Sequence, residues 1–170
     1  MIETERLLLR PYLEDNFDDY RRMIQDPQVM QYIRPEPASD DDAWLRFLAN
    51  AGRWHLHGYG LFSVIEKASG NFVGETGFGE FKRKLGEEFD PYHEAAWLFS
   101  GKGQNRGYAF EAAQAAHHWL AQEHQASKTV CIISPENLPS IRLATKLGYK
   151  PFDEQDYKGS PVTLFERPTS

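Results

Sequence analysis

The period of the apolar positions changes along the chain, and each change predicts an element. Leu7, Leu8 and Leu9 within residues 6–10 read as a short strand that Pro11 stops, because proline has no N–H to give to a ladder. Glu14-Asp15-Asn16 supplies N-cap chemistry for a helix through Phe17, Tyr20, Met23 and Ile24, which Asp26-Pro27 ends. After a loop marked by Pro35, Pro37 and Ser39, the acidic triplet Asp40, Asp41, Asp42 precedes Trp44, Leu45, Phe47 and Leu48 at helical spacing. Acidic groups suit the positive end of a helix dipole, so the triplet reads as a cap and a solvated face.

From Gly58 the pattern turns strand-like. Residues 61–65 and 72–78, joined by Ala68-Ser69-Gly70-Asn71, predict an antiparallel hairpin, and residues 95–99 a third strand after the polar segment 82–91. A glycine-rich loop, 101–107, leads into a helix through Ala109, Ala112, Ala113, Ala116, Trp119 and Leu120. A strand at 130–133, a turn at Ser134-Pro135-Glu136-Asn137, a helix over 140–147 closed by Gly148, and a last strand at 162–165 complete the order. The fold class this order defines is α/β, a mixed sheet with one parallel crossover.

Composition narrows the picture. A chain of 170 residues that is 41% hydrophobic and 26% charged fits one globular domain over 1–170 with a core large enough to stand without staples. The single cysteine, Cys131, lies in an apolar run and reads as a small buried hydrophobe. A net charge of −6 argues against a nucleic-acid partner. No apolar stretch approaches the roughly 20 residues that span a bilayer, and residues 1–11 lack a signal-type apolar run. No membrane association and a cytoplasmic location are the expectation. His55-x-His57 has no third ligand at a fixed offset, so no metal is expected. His117-His118 sits mid-helix, where adjacent side chains point different ways.

The chemistry concentrates in the loop after Phe99. Free N–H groups at a helix N-terminus, with glycine allowing close approach, suit a pyrophosphate. Gly101, Gly103 and Gly107 are spaced one residue longer than the dinucleotide fingerprint, and no phosphate-binding G-x-x-x-x-G-K-[S/T] occurs. Gln104-x-x-Gly107-x-Ala109 instead has the form [Q/R]-x-x-G-x-[G/A]. That segment resembles the acetyl-coenzyme A (acetyl-CoA) signature of the GNAT superfamily of N-acetyltransferases, and the resemblance covers nearly the whole chain. Thr4-Glu5-Arg6-Leu7 with Arg10-Pro11, Asp26-Pro27 with Val29-Met30, residues 73–78, Gly107-Tyr108-Ala109 with Glu111-Ala112, and Asn137-x-x-Ser140 with Lys146-Leu147-Gly148-Tyr149 follow the order of its ribosomal-protein N-acetyltransferase-like branch. Asn105 and Phe110 depart from that branch, which often has Gly and a hydroxyl residue there.

The resemblance implies a mostly antiparallel sheet with flanking helices and a splayed parallel pair, strands 95–99 and 130–133. Pantetheine would lie in the slot along Ala96, Trp97, Leu98 and Phe99, with a bulge near Trp97, whose ring itself reads as core packing. The backbone of Gln104, Asn105, Arg106, Gly107, Tyr108 and Ala109 would hold pyrophosphate. Asn137 fits either a helix cap or a bond to the pantetheine arm, and Ser140 either a helix-end hydroxyl or a proton donor near the thioester sulfur. An α-amine (pKa about 8) needs little help to lose its proton, whereas a lysine-type amine (about 10.4) needs a general base. Glu94 and Glu75 are the candidates, with a surface ion pair the competing account of each. The tyrosine that serves many members as general acid has no counterpart, since Ala144 stands in its place, leaving Ser140, Tyr149 or water. Lys82-Arg83-Lys84 reads as a solvated loop, or as a contact for an acidic partner or the coenzyme 3′-phosphate. The expected activity is transfer of an acetyl group from acetyl-CoA to a primary amine, by direct attack and without metal, in a possible homodimer. The rivals are a module that holds NAD on 101–107, and an acetyl-CoA-binding protein of the same fold without activity.

Overall fold

The computed structural model describes residues 1–34 and 36–169, so Pro35 of the expected loop lies outside the described residues. Strands β1 (Ile2–Glu3), β2 (Leu7–Arg10), β3 (Leu61–Glu66), β4 (Phe72–Gly79), β5 (His93–Phe99), β6 (Lys128–Ile133), β7 (Lys150–Tyr157) and β8 (Ser160–Pro168) form one sheet in the order β1-β2-β3-β4-β5-β6-β8-β7. Among the described residues every neighbouring pair is antiparallel except β5 with β6. Helices α1 (Phe17–Gln25), α2 (Pro27–Met30) and α3 (Asp40–His57) lie between β2 and β3, α4 (Tyr108–His124) joins β5 to β6, and α5 (Leu138–Lys146) follows β6. This is the mixed α/β class, with a mostly antiparallel sheet and flanking helices.

Local chemistry sets the helix ends. Ser39 Oγ accepts the Asp42 N–H at 3.3 Å and the acidic triplet fills the first turn of α3, as the dipole argument requires. Asp26 both ends α1 and caps α2, its carboxylate accepting from the Gln28 N–H at 2.9 Å with Pro27 in the first turn.

The sheet has a core on each face because its strands alternate. On one side Ala112, Ala113, Ala116 and Leu120 of α4 are fully buried with Phe62, Val64 and Phe78. The alanines let the helix lie close to the strands. On the other side Tyr20, Met23 and Ile24 of α1 and Phe47 of α3 pack with Leu61 and Ile65. Each large side chain so buried contributes roughly 1.5–3 kcal/mol. β5 serves both cores: Ala95, Trp97 and Phe99 belong to the α4 side, Ala96 and Leu98 to the α1–α3 side.

Two strands were not legible in the pattern, β1 and β7. The bulge expected near Trp97 is also absent: β4 pairs with β5 in unbroken register from Gly74↔Phe99 to Gly79↔Glu94. The register shifts lie elsewhere, at Val64/Ile65 in β3 and between Pro151 and Asp153 in β7.

Candidate active site

The parallel pair parts almost at once. β5 and β6 share only His93↔Thr129 and Glu94↔Val130, while β4 follows β5 to Phe99 and β8 follows β6 to Ile133. From Ala95 onward one edge of β5 therefore has no strand partner among the described residues, a slot about 15 Å long at strand rise. Backbone groups along it are open to an extended, amide-bearing ligand that can act as a strand.

The slot runs into the loop before α4. That loop is held from inside: the Ser100 N–H donates to Val73 O (3.0 Å), the Gly103 N–H to Ser100 O (2.8 Å), and the Gln104 side-chain amide to Phe99 O (3.0 Å). A Cβ on Gly103 would stand 2.5 Å from Val73 O, so only glycine fits. Gly107 is required for another reason, its φ of +77°; a Cβ there would meet only Arg6 Nη2, at 3.4 Å. No side chain caps α4, and among the described residues the N–H groups of Asn105, Arg106 and Gly107 have no backbone partner. With the first-turn amides of Tyr108, Ala109 and Phe110 they form a cluster of donors at the positive end of a 17-residue helix, the donor set that a pyrophosphate needs.

Two side chains of the cradle, Arg106 and Tyr108, are bound to Glu66 at the end of β3. The Tyr108 hydroxyl donates to Glu66, Arg106 pairs with Glu66 at 2.8 Å, and the guanidinium groups of Arg6 and Arg106 lie 4.7 and 4.8 Å from the Tyr108 ring. Ser69, Tyr108 and Arg106 hold the Glu66 carboxyl below its ordinary pKa. Glu111 accepts from Thr4 Oγ1 (2.6 Å), the Arg6 N–H (3.0 Å) and Arg6 Nε (2.7 Å), which ties the turn between β1 and β2 to the first turn of α4. Two distant motifs, Thr4 to Leu7 and Glu111-Ala112, thus serve one job, fixing the helix end.

Across the slot, Asn137 is the N-cap of α5, its Oδ1 accepting the Ser140 N–H at 3.2 Å. Ser140 therefore does not cap the helix. Its Oγ accepts from Trp97 Nε1 at 3.2 Å, a bond between β5 and α5 across the slot. Ala144, one turn on, is fully buried.

Glu94 and Glu75 are not surface ion pairs; they are 4% and 5% exposed. Glu94 is the last β5 residue paired with β6, at the vertex where the strands part. Arg83 clamps it, Nε lying 2.8 and 2.7 Å from the two carboxylate oxygens, with Phe81 and Tyr157 rings 4.9 and 5.0 Å from the guanidinium. The solvated-loop reading of Lys82-Arg83-Lys84 fails for Arg83. Phe81, Arg83, Phe89, Asp90, Tyr92 and Glu94 itself line a cavity of about 190 Å³. Glu75 lies under α1 and α3, accepting from Tyr12 Oη (2.5 Å) and Asn50 Nδ2 (3.2 Å). It pairs with Leu98, four residues from Glu94 along β5, so the two carboxylates do not share a site. Burial pushes both carboxyls above the ordinary range, against the pull of Arg83 on Glu94 and of Tyr12, Arg46 and Arg53 on Glu75.

The Tyr149 hydroxyl is already committed. His117 Nδ1 lies 2.7 Å from Ala113 O and must carry the proton, so Nε2 accepts from Tyr149 Oη (2.7 Å), which accepts in turn from Thr129 Oγ1 (2.7 Å). Tyr12 and Asn50 escaped sequence reading, and so did the buried pairing of Arg83 with Glu94. Arg83 was masked by its lysine neighbours, and nothing local in the sequence marks the other two.

A mixed sheet with a parted parallel pair, free amides at the start of the following helix and a buried carboxylate at the vertex can hold an extended, amide-bearing ligand with an anionic group at the helix end. Residues 6–150 match the family description Acetyltransferase (GNAT) domain, and the chain belongs to that family. It is similar to the uncharacterized N-acetyltransferase YnaD of Bacillus subtilis (strain 168), 30% identical over 149 residues, 88% of this chain and 82% of that one. A GnaT-family acetyltransferase structure from Bordetella pertussis is 33% identical with a TM-score of 0.85, covering 98% of each chain. Spermidine N-acetyltransferase of Vibrio cholerae, solved with CoA and spermine, has a TM-score of 0.75 at 16% identity, covering 98% of this chain and 97% of that one, a likeness of fold alone. Family and relatives make this chain an N-acetyltransferase in the general sense of acetyl transfer to an amine.

Proposed function

We propose that the chain transfers an acetyl group from acetyl-CoA directly to a primary amine, on a small molecule or a protein N-terminus. The observation that carries this is the parting of β5 from β6 directly before the uncapped N-terminus of α4. Pyrophosphate rests on the amides of Gln104 to Ala109, and pantetheine lies along Ala96, Trp97, Leu98 and Phe99, with Asn137 Nδ2, which has no partner among the described residues, as its side-chain donor. That direction brings the thioester toward the vertex, beside Glu94. The uncharged amine attacks the carbonyl carbon, the C–N bond forms, and the C–S bond breaks with its electron pair on sulfur. Glu94 is the base that takes the amine proton, once the acceptor replaces Arg83 against it. Ser140 is the hydroxyl placed to protonate the leaving thiolate. Glu75, tied to Tyr12 and Asn50, shapes the acceptor side of the sheet.

Thermal melting tests the coenzyme. A ligand bound only by the native state at a hundredfold excess over Kd adds about 2.7 kcal/mol, so acetyl-CoA raises the midpoint and NAD leaves it unmoved. The opposite pattern overturns the reading. Mass spectrometry of a polyamine, an aminoglycoside and peptides with free N-termini, each incubated with acetyl-CoA, then finds the acceptor. Coenzyme binding with no acetylated product from any of them makes the chain a binding protein.

A further inference from the structure

Trp97 has a place in the slot that packing does not account for. It stands on β5 three residues beyond the vertex, opposite Thr76 of β4, half-buried against the α4-side core. Its Nε1–H donates to Ser140 Oγ, while the Ser140 N–H is used by Asn137. Among the described residues the Ser140 hydroxyl proton has no acceptor of its own. A serine oxygen has two lone pairs and one proton. With the indole N–H seated on a lone pair, the O–H is turned away from Trp97 and is left to donate to whatever enters the slot. The ring is itself braced: Tyr149 meets it edge-on at 6.2 Å, and Tyr149 is pinned by His117 and Thr129.

We infer that Trp97 is a positioning residue, whose indole N–H fixes the Ser140 hydroxyl so that its proton points at the leaving sulfur of the thioester. This rests on the proposed acetyl transfer and adds to it the device that replaces the missing tyrosine. As the C–S bond breaks, the electron pair left on sulfur takes the Ser140 proton, and Ser140 is reprotonated through solvent water, which receives in turn the amine proton that Glu94 releases, so no net proton is gained or lost. The amine proton leaves separately through Glu94.

Trp97→Phe keeps the ring and removes the donor. With acetyl-CoA and the panel amine that gives product, Trp97→Phe lowers kcat at least tenfold while acetyl-CoA affinity and Tm stay near wild type; Ser140→Ala lowers kcat by more, since a positioned proton donor is worth typically 10²- to 10⁴-fold. In the Ser140→Ala background, Trp97→Phe has no further effect on kcat within twofold. An equal loss in both backgrounds means that Trp97 acts by packing and overturns the inference. A crystal structure with acetyl-CoA decides the same point without an acceptor. Expected is Trp97 Nε1 within hydrogen-bond reach of Ser140 Oγ, and that oxygen within reach of the thioester sulfur. A pantetheine arm wedged between Trp97 and Ser140 overturns the inference and leaves the proposed activity intact. No turnover with any acceptor, together with the intact bond, sinks the activity and leaves the arrangement.

Discussion

At the scale of single residues, the site is organised by buried charge. Taking Glu94 out of water costs several kcal/mol, which the Arg83 clamp offsets through three close N–O approaches of 2.7–2.8 Å. Removing one partner exposes that cost. Arg83→Met is expected to lose about 3 kcal/mol at pH 8, less at pH 5 where Glu94 can take up a proton, and the double variant Arg83→Met/Glu94→Gln recovers most of it. Urea unfolding at the two pH values measures this. Equal losses in the single and double variants would mean that Arg83 works through its packing between Phe81 and Tyr157 instead. The sequence held both residues in view, yet it offered no way to join them. An ion pair across 11 positions, closed by a loop with Lys82 and Lys84 at positive φ, has no periodicity to read.

At the scale of elements, legibility follows apolar patterning. Helices α1, α3 and α4, the β3–β4 hairpin, β5 and β6 each bury a stripe or a face, and the pattern recorded them. β7 buries little: Lys-Pro-Phe-Asp-Glu-Gln-Asp-Tyr has no buried residue, and it is held by its ladder to β8 at the end of the sheet. Pro151 is tolerated because an edge strand has a side with no ladder. Tyr157, which stacks on Arg83, comes from this strand, so missing it hid part of the site. The α5 terminus is legible in chemistry but ambiguous in role, since Asn137 reads equally as cap or ligand contact. The cap is now seen, and Asn137→Ala is expected to cost about 1 kcal/mol, whereas Ser140→Ala leaves stability near wild type. Denaturant midpoints compare the two. A larger loss from Ser140→Ala would assign the helix start to Ser140.

At the scale of the whole molecule, the parts meet at His117, where α4, β6 and the residue before β7 come together through Ala113, Thr129 and Tyr149. The resemblance predicted the arrangement of strands, with β5 and β6 joined at His93↔Thr129 and Glu94↔Val130 and apart beyond them. The Tyr149 chain is what joins the slot's floor to α4, and sequence alone gave His117 only a mid-helix place. Burial, opposed by the bond to Ala113, pushes the His117 imidazole down to about 4. The unfolded imidazole titrates near 6.5, so between these values the unfolded chain binds a proton that the folded chain refuses, and stability falls as pH falls. Above 6.5 the contribution is complete; at pH 5 about 2 kcal/mol of it is gone. Glu75 and Glu94 act with the opposite sign, because carboxyls pushed up by burial favour the folded state as pH falls. The His117 share is therefore read as a difference, by urea unfolding of the wild type and of His117→Gln at pH 7 and pH 5. His117→Gln starts less stable, since the amide cannot repeat both bonds at their present geometry, but its stability changes less between the two pH values, by about 2 kcal/mol. Parallel pH dependence in the two proteins would show that the folded imidazole titrates as the unfolded one does, charged at pH 5 with Nε2 then donating to Tyr149 Oη, and would overturn its neutral, buried role.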